Sequence, residues 1–271
     1  MHERNTKGIY GWDAEDYSKS SSMQKKWGRE LLSKLPLNGE ERVLDIGCGD
    51  GALTFEIAAR LPRGYVLGID NSPEMIAFAR RSYPPSLYSN LGWEVVDARE
   101  LPFESQFDVV FSNAVLHWIA DHLPVLEGIR KSLKPGGRIM LEMGGRGNAS
   151  EVAMALVETI TKAEWKDYFN DFNFNYSFYG PEEYEPWLRQ VGLIPKRVEL
   201  IPKDMVHRGR EGLAAWIRTT WLPFTQRIPH ELRDAFVYQM VERYMENHPP
   251  DEKGLVHVQA VRLEVEAERP T

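Results

Sequence analysis

A glycine-rich turn at residues 43–51, Val-Leu-Asp-Ile-Gly-Cys-Gly-Asp-Gly, constrains the fold more than any other part of the chain. The apolar run at residues 42–46 predicts a buried strand, and three glycines at alternate positions follow it. Leu53, Ile57 and Leu61 then recur with helical spacing. Glycines at such a junction let the backbone turn tightly and approach a bound molecule closely. A strand, a glycine turn and a helix in this order are typical of parallel α/β sheets.

Strand and helix patterns continue to alternate through the first 145 residues. The predicted strands cover residues 42–46, 65–69, 93–96, 107–112 and 138–143. Helical patterns separate them, and one begins at Asn71-Ser72-Pro73-Glu74, with a capping side chain and a proline in the first turn. This alternation predicts an α/β fold with a Rossmann-like, doubly wound sheet of mostly parallel strands. Two later strand patterns, at residues 196–201 and 255–266, are expected to pair antiparallel at the sheet edge.

The second half of the chain is more helical and contains no linker that would separate an independent domain. We therefore expect a single domain with three parts. Residues 1–40 form an N-terminal helical segment that covers the binding site, and residues 41–145 form the binding core. Residues 146–271 form the substrate side, in which a helical insertion at about 206–254 is expected to cap the carboxyl ends of the strands.

Composition and charge disfavour several classes of protein. Lys and Arg number 33 against 40 Asp and Glu, a net charge of −7, whereas nucleic-acid-binding domains usually carry a basic patch. No apolar run approaches the ~20 residues that span a bilayer. The first residues are polar and do not read as a secretory signal. One cysteine, Cys48, leaves no internal disulfide and no cysteine-based zinc site. We expect a cytoplasmic protein with no metal, membrane or nucleic-acid partner.

Acidic residues stand at three successive strand ends beside the glycine turn. Asp45 precedes the glycines and is placed to accept from an ammonium group or to order the loop. Asp70, at the end of the next strand, can accept hydrogen bonds from both hydroxyls of a ribose. Asp97 and Ala98 close the third strand, where they can meet an adenine amino group. Each acid alone could be a loop cap, but their joint placement favours a ribose and adenine site.

Five segments carry a resemblance to class I S-adenosylmethionine-dependent methyltransferases. They are VLDIGCGDG (43–51), GID (68–70), VDARELPF (96–103), FDVVFSNAVLHW (107–118) and LKPGGRIML (133–141). Within that superfamily, NAVLHW and the segment WDAEDYSKSSSMQKKW (12–27) look like the trans-aconitate methyltransferase group. The malonyl-carrier-protein O-methyltransferases are nearly as similar. The resemblance fades after about Asn148, where substrate specificity would reside.

The resemblance implies S-adenosyl-L-methionine as the cofactor and assigns residues to it. The implied contacts are Gly47, Cys48, Gly49 and the backbone of Asn113 for the methionine part; Asp70, Asn71, Met75, Asp97 and Ala98 for the ribose and adenine; and Tyr17 and Gln24, which would close over the cofactor from the N-terminal segment. Asp45 completes this predicted set.

The predicted reaction is methyl transfer to a small molecule by in-line displacement, with the oxygen of a carboxylate favoured as acceptor. An ionised carboxylate, with a pKa near ~4, needs no base at neutral pH, whereas a hydroxyl or an ammonium group does. N-, C- or phenol O-methylation of another metabolite, and cofactor binding without catalysis, remain as alternatives.

The candidate substrate residues lie after the fourth strand and in the second half. His117, beside Trp118, is the candidate catalytic residue, either as a base or as part of the pocket wall. For an acidic acceptor, the candidate cations are Arg146, in the turn Gly-Gly-Arg-Gly-Asn, and Arg218, which precedes Trp221. Either arginine could equally be a solvated surface residue. Ten aromatic residues between positions 165 and 187 either pack the cap onto the sheet or line a pocket for an apolar acceptor.

Overall fold

The computed structural model describes residues 22–170, 172 and 176–271, except for the side chains of Ser22 and Gln24. Tyr17 lies outside the described residues, and so does the side chain of Gln24. The strands are β1 (Arg42–Ile46), β2 (Tyr65–Asp70), β3 (Leu91–Val95), β4 (Phe107–Asn113), β5 (Leu133–Gly144), β6 (Ile194–Arg208) and β7 (Leu255–Glu268). The helices are α1 (Ser22–Lys34), α2 (Ala52–Ala58), α3 (Pro73–Ser82), α4 (Leu123–Ser132), α5 (Ser150–Ile160), α6 (Pro181–Gln190), α7 (Gly209–Thr220), α8 (Leu222–Thr225) and α9 (Arg233–Asn247).

The seven strands form one sheet in the order β3-β2-β1-β4-β5-β7-β6. Strand β1 pairs in parallel with β2 and β4, β2 with β3, and β4 with β5. The sheet is thus mostly parallel with an antiparallel edge, which confirms the predicted fold class. Ile46 pairs with Ile69 of β2 and with Ser112 of β4, so the carboxyl ends of these three strands are level. The glycine turn and the residues that follow β2 and β4 therefore begin at the same edge.

Burial on both faces explains why the apolar residues of β1 and β4 do not alternate with polar ones. Successive side chains of β1 point into different cores, since Val43 belongs to one cluster of buried residues and Leu44 to the other. Helices α1, α2 and α3 contribute to the first cluster, and α4 and α6 contribute to the second. Helices on both faces of a parallel sheet are the doubly wound arrangement expected from the sequence.

Several element boundaries differ from those predicted, and strand β5 begins at Leu133 rather than at residue 138. The helical pattern in the sequence continues from residue 151 to residue 168, but helix α5 ends at Ile160. There the hydroxyl of Thr159 donates to the Ala155 carbonyl and that of Thr161 to the Glu158 carbonyl. Such back-bonding competes with continuation of a helix. Strand β6 extends beyond the predicted residue 201 to Arg208. Met205 and His207 are buried there, and Val206 between them is exposed. Because Val206 is apolar and His207 is polar, this alternation in burial was not visible as a hydrophobic pattern in the sequence.

The chain divides into two compact units, each built from separate stretches. Unit 1 comprises the described residues of Met1–Arg146 together with Tyr176–Ile201 and Leu263–Thr271. Unit 2 comprises the described residues of Gly147–Asn175 together with Pro202–Arg262. Within unit 2, α9 packs on α5 and α7 through its buried side chains. The single-domain division made from the sequence stays a prediction. In the part of the chain that the structure describes, no helix combines the length and the apolar character needed to cross a membrane.

Candidate functional site

The glycine turn after β1 has a backbone that only glycine adopts without strain. Gly47, Gly49 and Gly51 have φ angles of 72°, 54° and 83°. A Cβ on Gly47 would lie 2.1 Å from a methyl carbon of Val115, so this glycine also allows a close approach of the segment after β4. The N–H groups of Gly47 and of the next residue donate to the Ile69 carbonyl at 2.7 and 2.9 Å, which fixes the turn against β2.

Asp70, at the end of β2, is held by backbone donors. Its Oδ2 accepts from the Gly49 N–H at 3.0 Å and its Oδ1 from the Ser72 N–H at 2.9 Å. Burial raises the pKa of this carboxyl, and the N–H donors oppose that change. The Asn71 N–H is a third backbone donor that lowers the pKa of this carboxyl. The two oxygens have about four lone-pair sites between them, so the carboxylate keeps the capacity to accept from a hydroxyl of the predicted ribose.

Asp45 is buried and accepts a hydrogen bond from the Thr54 hydroxyl at 2.6 Å, which ties β1 to α2. Burial, with Asp70 nearby, raises the pKa of Asp45 to about 7. This contact joins the strand before the glycine turn to the helix after it, and the role of Asp45 at the predicted cofactor site stays a prediction. Burial and these acids also raise the pKa of the Cys48 thiol, which therefore stays protonated inside the loop. Sequence reasoning missed Thr54, although a hydroxyl nine residues after Asp45 was visible.

The predicted adenine side is built around the end of β3. The carboxylate of Asp97 accepts from both the backbone N–H and the Nε of Arg99 at 2.9 Å, and this pairing lowers the pKa of Asp97. Asp97 therefore acts as a turn cap with a paired charge. Ala98 and Met75 are buried, whereas Asn71 is exposed next to Asp70. Their roles toward adenine stay predictions.

Helix α1 packs directly on the glycine turn. The Lys25 ammonium lies 2.6 Å from the carboxylate of Asp50, a buried residue of the turn. A Cβ on Gly28 would lie 2.3 Å from Leu53 and 2.8 Å from the amide nitrogen of Asn113. Helix α1 therefore lies against the glycine turn, and the covering role predicted for the N-terminal segment stays a prediction.

His117 lies in a short 3₁₀ turn that follows β4, and its ring is held by the backbone of β5. Ala114, just before this turn, has a φ of 60°, and its N–H donates to the Glu142 carbonyl at 2.8 Å. The Gly144 N–H donates to His117 Nδ1 at 3.3 Å. Since a backbone N–H can only donate, Nδ1 accepts, and in the neutral ring the proton is on Nε2. Nothing in the sequence pointed to Gly144 as the group that selects this tautomer.

Three aromatic rings surround the His117 imidazole. The Trp118 ring lies 5.0 Å from the Tyr176 ring, which stacks on Phe178 at 5.4 Å with an interplanar angle of 5°. The His117 ring lies 6.0 Å from Tyr176 and 6.1 Å from Phe178. These four residues, all half-buried, are called the His117 cluster below.

The predicted run of aromatic residues divides among three environments. Tyr176 and Phe178 join the His117 cluster, while Trp165 and Phe169 pack on Phe236 inside unit 2. A third set surrounds His122, and it consists of Tyr179, Tyr184 and Trp187. The composition of the run was visible in the sequence, but its division depends on tertiary packing.

His122 is buried, and both of its ring nitrogens have protein partners. Nε2 donates to the Ile119 carbonyl at 2.9 Å, and Nδ1 contacts the Tyr184 hydroxyl. Burial lowers the pKa of His122 to about 4, so the ring is neutral at physiological pH. We assign it a structural role.

The predicted substrate arginines carry acidic partners. Arg146 pairs with Glu183 and also lies 3.5 Å from the Glu182 carboxylate. In unit 2, Arg218 lies 3.3 Å from the Asp234 carboxylate. Trp221 is buried in the same unit, with its ring 5.4 Å from that of Phe224. Their roles in binding a substrate stay predictions.

Comparisons with known proteins connect this geometry to a family. Residues 37–191 match the family model described as "Methyltransferase domain". The chain is 30% identical to a trans-aconitate 2-methyltransferase of Methylobacterium nodulans over 272 residues, which cover 95% of this chain and 98% of that protein. It is 36% identical to a methyltransferase of Schizosaccharomyces pombe over 201 residues, 71% of this chain and 74% of that one.

Solved structures are similar in fold. The YcgJ protein of Bacillus subtilis superposes with a TM-score of 0.63 at 15% identity, covering 91% of this chain and 99% of that one. A phosphoethanolamine N-methyltransferase of Haemonchus contortus, solved with phosphomonomethylethanolamine and S-adenosylhomocysteine, superposes with a TM-score of 0.60 at 21% identity. That match covers 95% of this chain and 57% of the other. At these identities the likeness is one of fold.

Proposed function

Because the chain belongs to the methyltransferase domain family, we propose that it methylates a small molecule at a carboxylate oxygen by in-line displacement. The coarser part of this statement is established: the protein is a class I S-adenosylmethionine-dependent methyltransferase. The acceptor and the atom that is methylated are the proposal. The tautomer of His117 is the observation that carries it.

The residues at the carboxyl ends of β1 and β2 fit the cofactor. Asp70 offers two carboxylate oxygens to hydroxyl donors, and the positive φ angles of Gly47 and Gly49 bring the backbone close to whatever lies over the turn. When bound, S-adenosylmethionine supplies a methyl group on a positively charged sulfur. The protein must then hold the acceptor in line with that group and exclude water. Such alignment alone can contribute ~7–11 kcal/mol to lowering the barrier.

His117 is poorly arranged to act as a base. Its Nδ1 lone pair accepts from the Gly144 N–H, and its Nε2 already carries a proton in the neutral ring. A hydroxyl or ammonium acceptor would need a base to remove its proton, and His117 in this tautomer is not set up to be one. An ionised carboxylate needs no such step. The name of the relative that methylates trans-aconitate, a carboxylic acid, supports the same class of acceptor.

The first test is calorimetric titration of the purified protein with S-adenosylmethionine and, separately, with NAD. We expect binding of the former alone. The second test supplies isotopically methyl-labelled cofactor with panels of carboxylic acids, phenols and amines, and detects labelled product by mass spectrometry. Labelled methyl esters are expected. Labelled phenol ethers or amines without esters would contradict carboxylate methylation while leaving the family assignment intact.

A further inference from the structure

We infer that Lys25 of helix α1 is a positioning residue for cofactor binding, because its ion pair with Asp50 holds the glycine turn in the shape that receives S-adenosylmethionine. The inference goes beyond the proposed function, since it concerns the cofactor and holds for any methyl acceptor. It rests on the predicted place of the cofactor at the glycine turn. The sequence assigned Tyr17 and Gln24 of the N-terminal segment to the cofactor, but not Lys25.

The glycine turn has little stiffness of its own. Residues 47–51 include three glycines, and glycine adopts positive and negative φ angles about equally readily. A single conformation of the turn therefore has to be fixed by contacts with neighbouring elements. When only a fraction of the molecules has the conformation that binds a ligand, the apparent affinity falls by that fraction. Each contact that tethers the turn thus contributes to cofactor affinity.

Strand β2 tethers the first half of the turn. The N–H groups of Gly47 and Cys48 donate to the Ile69 carbonyl at 2.7 and 2.9 Å. The Gly49 N–H donates to the Asp70 carboxylate at 3.0 Å. All three donors belong to residues 47–49, and the part of the turn that leads into α2 is held from another side.

The side chain of Asp50 anchors the second half of the turn. Its Oδ1 accepts from the Ala52 N–H at 3.2 Å, and its Oδ2 lies 2.6 Å from the Lys25 ammonium. The Asp50 side chain is 7% exposed and that of Lys25 is 19% exposed, so both charges are largely shielded from water. Salt screens such a pair little, and removing one partner leaves the other charge uncompensated. Lys25 therefore fixes the residue that stands between Gly49 and Gly51.

Helix α1 presents Lys25 from a fixed position. A Cβ on Gly28 would lie 2.3 Å from Leu53, so α1 and α2 approach closely just after Lys25. At the other end of the helix, the Lys34 ammonium lies 2.6 Å from the Glu264 carboxylate of β7. The helix is thus anchored at both ends by a lysine on a buried acid, once on the glycine turn and once on the sheet.

The first experiment compares Lys25→Met with Lys34→Met, which remove the same charge from the two ends of one helix. The Kd for S-adenosylhomocysteine is measured by calorimetry, and the thermal midpoint is measured without ligand. We expect both variants to lower the thermal midpoint. Lys25→Met should raise Kd about tenfold, whereas Lys34→Met should stay within about twofold of wild type. Equal changes in Kd would overturn the inference, because they would reflect a general loosening of the helix.

Variants of both partners test whether Lys25 acts through Asp50. Lys25→Arg keeps the cation and should keep Kd within about threefold of wild type. Asp50→Asn keeps an acceptor for the Ala52 N–H but loses the charge, and it should raise Kd about tenfold. Because the two residues share one contact, the double variant should lose no more than about tenfold. A loss of about a hundredfold would show two independent effects and would overturn the inference. So would a Lys25→Arg loss as large as that of Lys25→Met.

The charge of the ligand separates positioning from direct electrostatics. S-adenosylmethionine carries a positive sulfonium, and S-adenosylhomocysteine carries a neutral thioether in its place. Loss of a tether should weaken both ligands to the same extent in Lys25→Met. A direct effect of charge would instead favour S-adenosylmethionine, because Asp50 is left negative. A ratio of the two Kd values that shifts toward S-adenosylmethionine by more than about threefold would overturn the positioning role.

Hydrogen exchange measures the turn itself. Without ligand, the peptide that contains residues 47–52 should exchange faster in Lys25→Met than in wild type, because the turn opens more often. The same peptide should be unchanged in Lys34→Met, and S-adenosylhomocysteine should slow its exchange in all three proteins. Wild-type exchange in Lys25→Met would show that the turn keeps its shape without the ion pair, and the inference would then be wrong.

Discussion

The glycine turn and the His117 cluster both follow central strands of unit 1, but they are built in different ways. The turn is made from contiguous residues, and its contacts are mostly backbone groups, such as the Gly49 N–H on Asp70. The cluster gathers side chains from three separated stretches, around residues 117, 144 and 176–178. A site made of backbone is set by local conformation, whereas a site made of side chains is set by packing. This difference explains why the sequence predicts the glycine turn in detail and does not predict the His117 cluster.

The largest effect should come from Asp70, whose carboxylate accepts from the Gly49 N–H of the glycine turn. Asp70→Ala removes the acceptor for two hydroxyls, and hydrogen bonds to a charged group contribute ~1.5–3 kcal/mol each. We expect affinity for S-adenosylhomocysteine to fall about 1,000-fold, or ~4 kcal/mol, in calorimetry. Asp70→Asn, which keeps one acceptor oxygen, should fall between. Unchanged affinity in a folded Asp70→Ala protein would end the ribose assignment.

Unit 1 should be less stable at acidic pH, because His122 is buried among its aromatic residues. The folded pKa of His122 is about 4 because of burial, against an ordinary value of 6.5. Between pH 6.5 and pH 4, His122 therefore binds a proton in the unfolded chain but not in the folded protein. Stability is fully present above pH 6.5 and falls on the way to pH 4, by about 3 kcal/mol in all. His207, in unit 2, has a pKa lowered to about 4 by burial and adds to the loss.

Urea unfolding at pH 7 and pH 5 measures this loss. His122→Gln should lessen the difference between the two pH values by roughly 2 kcal/mol, because one titrating group is gone. His230→Gln, at an exposed histidine, is the control and should keep the wild-type difference. If the His122 variant keeps it as well, the ring titrates normally in the folded protein.

A substitution that tests the backbone of the glycine turn should change stability by a similar amount. Gly47→Ala adds a Cβ at a φ of 72° and 2.1 Å from Val115. A left-handed conformation costs ~1–2 kcal/mol for a non-glycine residue, and overpacking costs ~1–3 kcal/mol. We expect unfolding free energy to fall by about 3 kcal/mol. Combining the change with Val115→Ala should recover the overpacking part alone, and a simple sum of the two losses would show that the residues do not meet.

The smallest expected effect concerns Asp45, and its contribution to stability should depend on pH in the opposite direction to that of His122. Asp45 has a folded pKa of about 7 because of burial, against 3.8 ordinarily, so its protonated form stabilises the fold in acid and that contribution is lost as the pH rises to 7. Asp45→Asn keeps an acceptor for Thr54 without the charge. Its stability relative to wild type should improve by about 2 kcal/mol between pH 5.5 and 8. Glu104→Gln, at an exposed site, should show no such trend.

The sequence was sufficient wherever local rules decide the structure. Strand periodicity and glycine spacing predict three features that are also present in the structure. They are the parallel strands, the glycine turn and the position of Asp70 at the end of a strand. The start of α3 follows from Ser72, whose hydroxyl accepts from the Met75 N–H as a cap does.

The sequence was insufficient wherever distant residues meet. The pairing of Gly144 with His117 joins residues 27 positions apart through a main-chain donor, which has no sequence signature. The partners of Arg146 come from α6, so its neutralisation could not be foreseen from the turn that contains it. Tyr176 and Phe178 were visible only as members of an aromatic run, because their separation from Trp165 depends on where the chain crosses between units.

The strand order determines which strand edge is left unpaired while the protein is being synthesised. Strand β5 ends at Gly144, but its outer neighbour is β7, which begins at Leu255. At ~5–20 residues per second, the ribosome needs on the order of ten seconds to deliver the chain between them. Until then β5 is an open edge, a template for pairing with other chains. The protein is therefore most exposed to pairing with other chains before its synthesis is finished. A truncation that removes β7 would leave the edge of β5 open permanently.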